Sequence, residues 1–184
     1  SKRIKKFLVS TNDHKVMEYV MNKGHQCHLR DDAISNINSP IELTINNIIE
    51  SYPELISKIK YLTVLNYEYP FMELRNIENT VDIMEIFDTN SSMSVLPTDL
   101  NLYKHEGSGL LPLSHNNQLR LERDQVYQEI GGIHSVKMSW YKRNRKLHAD
   151  KVSHLIIDKN SSRKIENEDD FAALQFLYNQ RHKK

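Results

Sequence analysis

The stretch Tyr61-Leu62-Thr63-Val64-Leu65, followed after a polar turn by a segment carrying Ile77, Val81, Met84 and Phe87, decides the fold class. The first five residues are apolar or β-branched and too few for a helix, which is the pattern of a strand covered on both faces. The second segment spaces its apolar side chains three or four apart, the period of a helix burying one face. The same alternation extends in both directions. Upstream, Lys6 to Ser10 reads as a short buried strand, and Thr11 or Asn12 can cap a helix with Val16, Met17, Val20 and Met21 on its apolar face and Gly24 just past its end. His25 to Arg30 is a second strand, and a helix from about Pro40 places Ile41, Ile45, Ile48 and Ile49 on one side before Pro53 limits it. Downstream, Met93 to Leu96, Ile130 to Met138 and Val152 to Ile157 read as strands, and a last helix from Asn167 turns Phe171, Leu174 and Leu177 inward. Strands alternating with helices predict an α/β three-layer fold with a mostly parallel sheet. From Pro97 to about Gln128 the pattern breaks down around Gly107, Gly109, Pro112 and an Asn/His run, which predicts irregular hairpins or a protruding arm.

With 184 residues, 39% hydrophobic and 27% charged, the expectation is one domain over 1–184 with a genuine core. No apolar run approaches the roughly 20 residues that span a bilayer, and the basic start Lys2-Arg3-Ile4-Lys5-Lys6 leads into no signal-peptide core, so the reading is cytoplasmic, without a membrane partner. Cys27 is the only cysteine, which excludes an internal disulfide and a Cys-rich zinc site. A formal charge of +1 gives no electrostatic case for nucleic acid.

Ligands of an open α/β sheet sit beyond the carboxyl ends of its strands. That rule selects Asn12 and Asp13 after one strand, Asn66 and Arg75 after another, and Gln128 and Glu129 leading into a third. Arg75 could offer a guanidinium fork to a carboxylate or simply be solvated at a helix start. Arg120 and Arg123 could grip the same carboxylate or belong to a subunit interface. Glu166 is a candidate metal ligand, whereas Glu168, Asp169 and Asp170 are read as first-turn acids that complement a helix dipole. In His25-Gln26-Cys27-His28, strand alternation separates Cys27 from His28. Trp140 to Lys146 reads as a solvated helix with two core-facing aromatics, and Ser10, Ser135 and His134 show no triad partner.

Five short strings in order resemble the acylneuraminate cytidylyltransferases, the CMP-sialic acid synthetases, and their CMP-Kdo relatives. Val9-Ser10-Thr11-Asn12-Asp13 resembles the family's V-S-T-D turn, and Leu29-Arg30-Asp31 its Arg-Pro segment. Leu65-Asn66 with Glu68-Tyr69-Pro70 and Leu74-Arg75 is similar to L-Q-P-T-S-P-L-R, and Arg120 to Gly132 to R-Q-x-x-P-x-x-Y-x-x-N-G. Lys164-Ile165-Glu166 stands where the family has the D-I-D that holds magnesium. The resemblance implies a fold of the nucleotide-diphospho-sugar transferase type, activation of an acidic sugar as its CMP-sugar for surface polysaccharide synthesis, magnesium as cofactor, and a homodimer joined through the 97–128 arm. It places Asn12 and Asp13 on the nucleotide side and Asn66, Arg75, Arg120, Gln128 and Glu129 around the sugar.

Departures from the pattern shape a second expectation. The family opens with a strand and a loop of the type A-R-x-G-S-K-G, whose backbone donors hold the triphosphate. The five glycines here, at 24, 107, 109, 131 and 132, make no such loop, and Lys164 puts an ammonium where a hard cation needs oxygen. The expectation is therefore an incomplete or degenerate cytidylyltransferase domain, or a non-catalytic sugar-binding or dimerisation module of a larger glycan-synthesis protein.

Overall fold

The computed structural model describes residues 4–36, 38–98, 102–113 and 126–182. The stretch that decides the fold class forms strand β3 (Tyr61–Leu65), preceded by β1 (Leu8–Thr11), α1 (His14–Asn22), β2 (Gln26–Leu29), α2 (Ile41–Ser51) and α3 (Pro53–Ser57). After it come α4 (Leu74–Ile86), β4 (Ser91–Thr98), the hairpin β5 (Tyr103–Glu106) and β6 (Gly109–Pro112), β7 (Val126–Lys137), α5 (Met138–Asn144), β8 (Val152–Ile156) and α6 (Glu168–His182). The central sheet has the order β3-β7-β4-β8, in which β7 is antiparallel to β3 and β4 while β4 and β8 are parallel. Three of its four strands thus run the same way and β7 is reversed, so the sheet is mixed in its pairings but mostly parallel in direction. β1 and β2 form a separate parallel pair. No helix among the described residues is long and apolar enough to cross a membrane.

Alternation along the strands makes the three layers. Leu62, Val64 and Val136 face one side, where Ile45 and Ile49 of α2, Ile56 of α3 and Met138 and Tyr141 of α5 pack on them. The opposite face carries Thr63, Ser135, Ser92 and Ser153 in one cross-sheet row, lying under α4 with its buried Asn76, Thr80 and Met84. In this polar row Thr63 pairs with Ser135 at 2.9 Å and Ser153 accepts from the neighbouring Thr89 at 2.7 Å, while the buried Ser92 hydroxyl has no protein partner. Such pairing is what makes buried hydroxyls tolerable. Further along the same face, Ile83 of α4 packs with Ile130, Leu155 and Ile157.

Local chemistry at the termini differs from the sequence reading in three places. Asp13, not Thr11 or Asn12, caps α1, its Oδ1 accepting from the Lys15 and Val16 N–H groups. Gly24 follows with φ +76°, the left-handed conformation expected past a helix end. Phe87 is the cap residue after α4 and lies 62% exposed, because the chain has left the helical period there. In the last helix Leu174 is buried as expected, whereas Phe171 in its first turn is 54% exposed. The irregular stretch after Pro97 contains a hairpin, β5–β6, turning at Gly107 with φ +47°.

Candidate functional site

The chain leaving β3 folds back across β7, close over a glycine. Asn66 N–H donates to the Gly132 carbonyl at 3.1 Å, which draws the segment 66–73 onto the strand. A Cβ on Gly132 would lie 2.5 Å from Met72 Cε and 3.3 Å from Tyr69 Cγ, so any larger residue would have to displace the Met72 tip and press on the Tyr69 ring. Asn66 then closes a small turn, accepting from Glu68 N–H at 3.0 Å and donating to Glu68 Oε2 at 3.2 Å. The Glu68 carbonyl accepts from Ile165 N–H at 2.9 Å, which docks the segment after β8 over the same corner.

At this corner Lys164 Nζ lies 3.0 Å from Glu166 Oε1 and 3.3 Å from Glu68 Oε2. The two carboxylates raise the lysine pKa, Glu166 most, holding the ammonium in its charged form. Burial pushes the neighbouring Tyr69 hydroxyl up, with the Lys164 charge opposing. An open cleft of about 420 Å³ adjoins the corner, lined by Tyr67, Glu68, Ile165, Glu166, Glu168 and Phe171 among others. The residues at 164–166 do not fit a magnesium ion: a hard divalent cation takes oxygen ligands, and the place between Glu68 and Glu166 is taken by an ammonium.

Of the residues selected from sequence, Asn66 and Glu166 are brought to this corner, joined by Glu68, which the sequence reading did not single out. Arg75 lies at the start of α4, 70% exposed, with its Nε 2.6 Å from Glu73 Oε2. Gln128 is exposed on β7 opposite Leu96. Asn12 and Asp13 follow β1, in the other sheet, where Asn12 donates to Asp32 at 3.3 Å and Asp13 caps its helix. Arg120 and Arg123 lie outside the described residues.

Glu129 takes part in a second constellation. Between Met93↔His134 and Val95↔Glu129 the register of β4 and β7 shifts, and β7 loops out over Ile130 to Ile133. Ser94, fully buried, holds the bulge by donating to the Ile130 carbonyl at 2.6 Å and accepting from Ile133 N–H at 3.1 Å. The bulge draws together side chains that regular alternation would leave far apart. His134 Nε2 comes 2.9 Å from Glu129 Oε1, and His148, on the loop after α5, brings Nε2 to 3.2 Å from His134 Nδ1. Burial lowers the His134 pKa, and the Glu129 charge opposes that shift. Only two adjacent glycines, Gly131 and Gly132, signalled this bulge in the sequence.

No protein-family model and no curated protein matches the sequence. Solved structures do. A CMP:2-keto-3-deoxy-manno-octonic acid synthetase complexed with CTP superimposes with a TM-score of 0.67, over 97% of this chain and 82% of its own, at 9% identity. The chain shares the fold of this synthetase. A 4-diphosphocytidyl-2C-methyl-D-erythritol synthase agrees, with a TM-score of 0.64 over 96% of this chain and 82% of the other, again at 9% identity. The two structures are named for different compounds, and at 9% identity the likeness shows the fold alone.

Proposed function

We propose that this chain is a cytidylyltransferase-family domain related to the activation of acidic sugars, of the sialic acid or Kdo type, as CMP-sugars for surface glycan synthesis, in a form that does not complete the reaction alone. The observation that carries this reading is the Lys164 ammonium between Glu68 and Glu166, within a cytidylyltransferase fold. In cytidylyl transfer a sugar hydroxyl attacks the α-phosphate of CTP, and cations neutralise the charge gathering on the phosphate oxygens. With little covalent work left to the protein, positioning and charge supply most of the acceleration. Here the resemblance puts Lys164 in the magnesium motif, and its single positive charge is already neutralised by two carboxylates. A carboxylated sugar would also have to displace Glu73 from Arg75, while Asn66 and Gln128 offer hydrogen bonds to hydroxyls.

Purified protein given CTP, magnesium and sialic acid or Kdo is expected to release no pyrophosphate above background in a coupled assay. Lys164→Asp is expected not to restore release, because none of the five glycines forms a loop to hold the triphosphate. Sugar-dependent pyrophosphate release by the unmodified chain would overturn the reading.

The β5–β6 hairpin favours a further assignment, the dimerisation surface of a homodimer. Leu110, Leu111 and Leu113 are each more than half exposed along it, and clustered exposed apolar side chains mark interaction surfaces. Light scattering should report a dimer that Leu111→Asp converts to monomer, and a monomeric unmodified chain at tens of micromolar would count against the surface.

A further inference from the structure

We propose that Glu129, His134 and His148 form a binding site for a borderline divalent transition ion of the zinc class. The argument begins with spacing. Zinc holds nitrogen and oxygen ligands at about 2.0–2.2 Å, and a tetrahedron of that size sets ligand atoms about 3.3–3.6 Å apart. Glu129 Oε1 is 2.9 Å from His134 Nε2 and 3.9 Å from His148 Nε2, and the three residues can each offer one ligand atom within 4.8 Å of the others. Separations of up to 4.8 Å exceed the tetrahedral spacing by as much as about 1 Å, so the side chains close by that amount around an ion.

An unmet requirement at the same place points the same way. His134 Nε2 is buried without a hydrogen-bond partner, with the Glu129 carboxylate 2.9 Å away. Buried polar nitrogens are normally satisfied, and a cation between imidazole and carboxylate would satisfy both. The backbone supports the arrangement. Ser94 fixes the bulge that carries Glu129 and His134. On either side of His148, Leu147 N–H donates to Glu42 at 3.4 Å and Ala149 N–H to Ser91 Oγ at 3.0 Å.

The donor set selects the ion. Two imidazoles and one carboxylate suit zinc and its neighbours, whereas magnesium and calcium take oxygen ligands. Three protein ligands leave a fourth position, so the bound ion would accept a water or an oxygen donor such as a carboxylate or hydroxyl. This site differs in residues and ligand type from the Lys164 corner and stands independently of the cytidylyl reading. Metal binding measured without nucleotide or sugar tests it alone.

The experiment uses the full, tag-free chain after chelator treatment, titrated calorimetrically with zinc chloride and, separately, magnesium chloride. Zinc is expected to bind once per chain, magnesium to give no saturable heat, and cobalt(II) to produce the intense visible absorption of a tetrahedral site. His148→Gln, on an exposed loop, and Glu129→Gln should each weaken zinc binding at least about 30-fold with unchanged circular dichroism, since even losing a partner one step beyond the metal weakens binding about 10–100-fold. His105→Gln, on the β5–β6 hairpin, should leave it unchanged. Absence of saturable zinc binding, or affinity unaltered in His148→Gln and Glu129→Gln, would overturn the proposal.

Discussion

Tyr141→Ala is expected to lower the unfolding free energy by about 3–5 kcal/mol, the range found when a large buried aromatic is truncated. Tyr141 is fully buried where α5 meets α2, among Ile45, Ile56, Val136, Met138 and Leu147. Total stabilities of about 5–15 kcal/mol leave little margin for such a loss, so urea denaturation followed by circular dichroism should show a much lower midpoint. Tyr141→Phe separates ring from hydroxyl. The hydroxyl donates to the Glu42 carbonyl at 3.3 Å or Asn46 Oδ1 at 3.2 Å, and Asn46 Oδ1 retains Arg145 Nη1 at 3.0 Å, so this variant should lose only about 1 kcal/mol. Burial, with Glu42 adding to it, pushes the phenol pKa up to about 12. A folded-state value above the unfolded value near 10 means that the contribution is complete below pH 10 and is lost as pH rises from about 10 to 12. Near-wild-type stability in Tyr141→Ala would refute this account of the core.

Ser94→Ala is expected to destabilise the protein by about 2–4 kcal/mol while removing a single oxygen. Its hydroxyl serves the Ile130 carbonyl and the Ile133 N–H, two main-chain groups that the bulge takes out of the β4–β7 ladder. Each buried group left without its partner costs about 1–3 kcal/mol. A substitution on an exposed strand position, such as Gln128→Ala, supplies the comparison and should fall within about 0.5 kcal/mol of wild type. Equal midpoints for Ser94→Ala and Gln128→Ala would show that water or another group satisfies the bulge.

The contrast between these elements explains what the sequence could reveal. Tyr61 to Leu65 and the Ile77 to Met84 periodicity were legible because burial on a regular strand or helix imposes a period that side chains must follow. The alternation of strands and helices identified the three-layer class for the same reason. It did not reveal that β7 runs against its neighbours, since strand direction depends on where connections cross the sheet, and the 97–128 stretch carries no period. At the candidate sites, Asn66 was reachable from the rule about strand ends, and Glu166 from the resemblance of Lys164-Ile165-Glu166 to a magnesium motif. Glu68 was not, because its position comes from the Asn66 turn and the Ile165 contact. Glu129 was selected by the same rule, but its meeting with His134 and His148 escaped for a related reason: a bulge cancels the alternation from which a face is assigned, and His148 arrives from a loop.

Strand β3 has one more consequence, for behaviour in concentrated solution. Its apolar sequence suits a strand flanked on both sides, yet among the described residues it pairs only with β7. The opposite edge presents main-chain donors and acceptors along a β-prone segment, the arrangement on which foreign strands add most readily. Lys58 and Lys60 precede the strand, and Lys60 is 3.1 Å from Glu85, so charge guards the entrance of the edge but not its length. Resistance to aggregation therefore depends on what lies against Tyr61 to Leu65, and an extended segment of matching pattern would gain a ladder of hydrogen bonds there without rearranging the sheet.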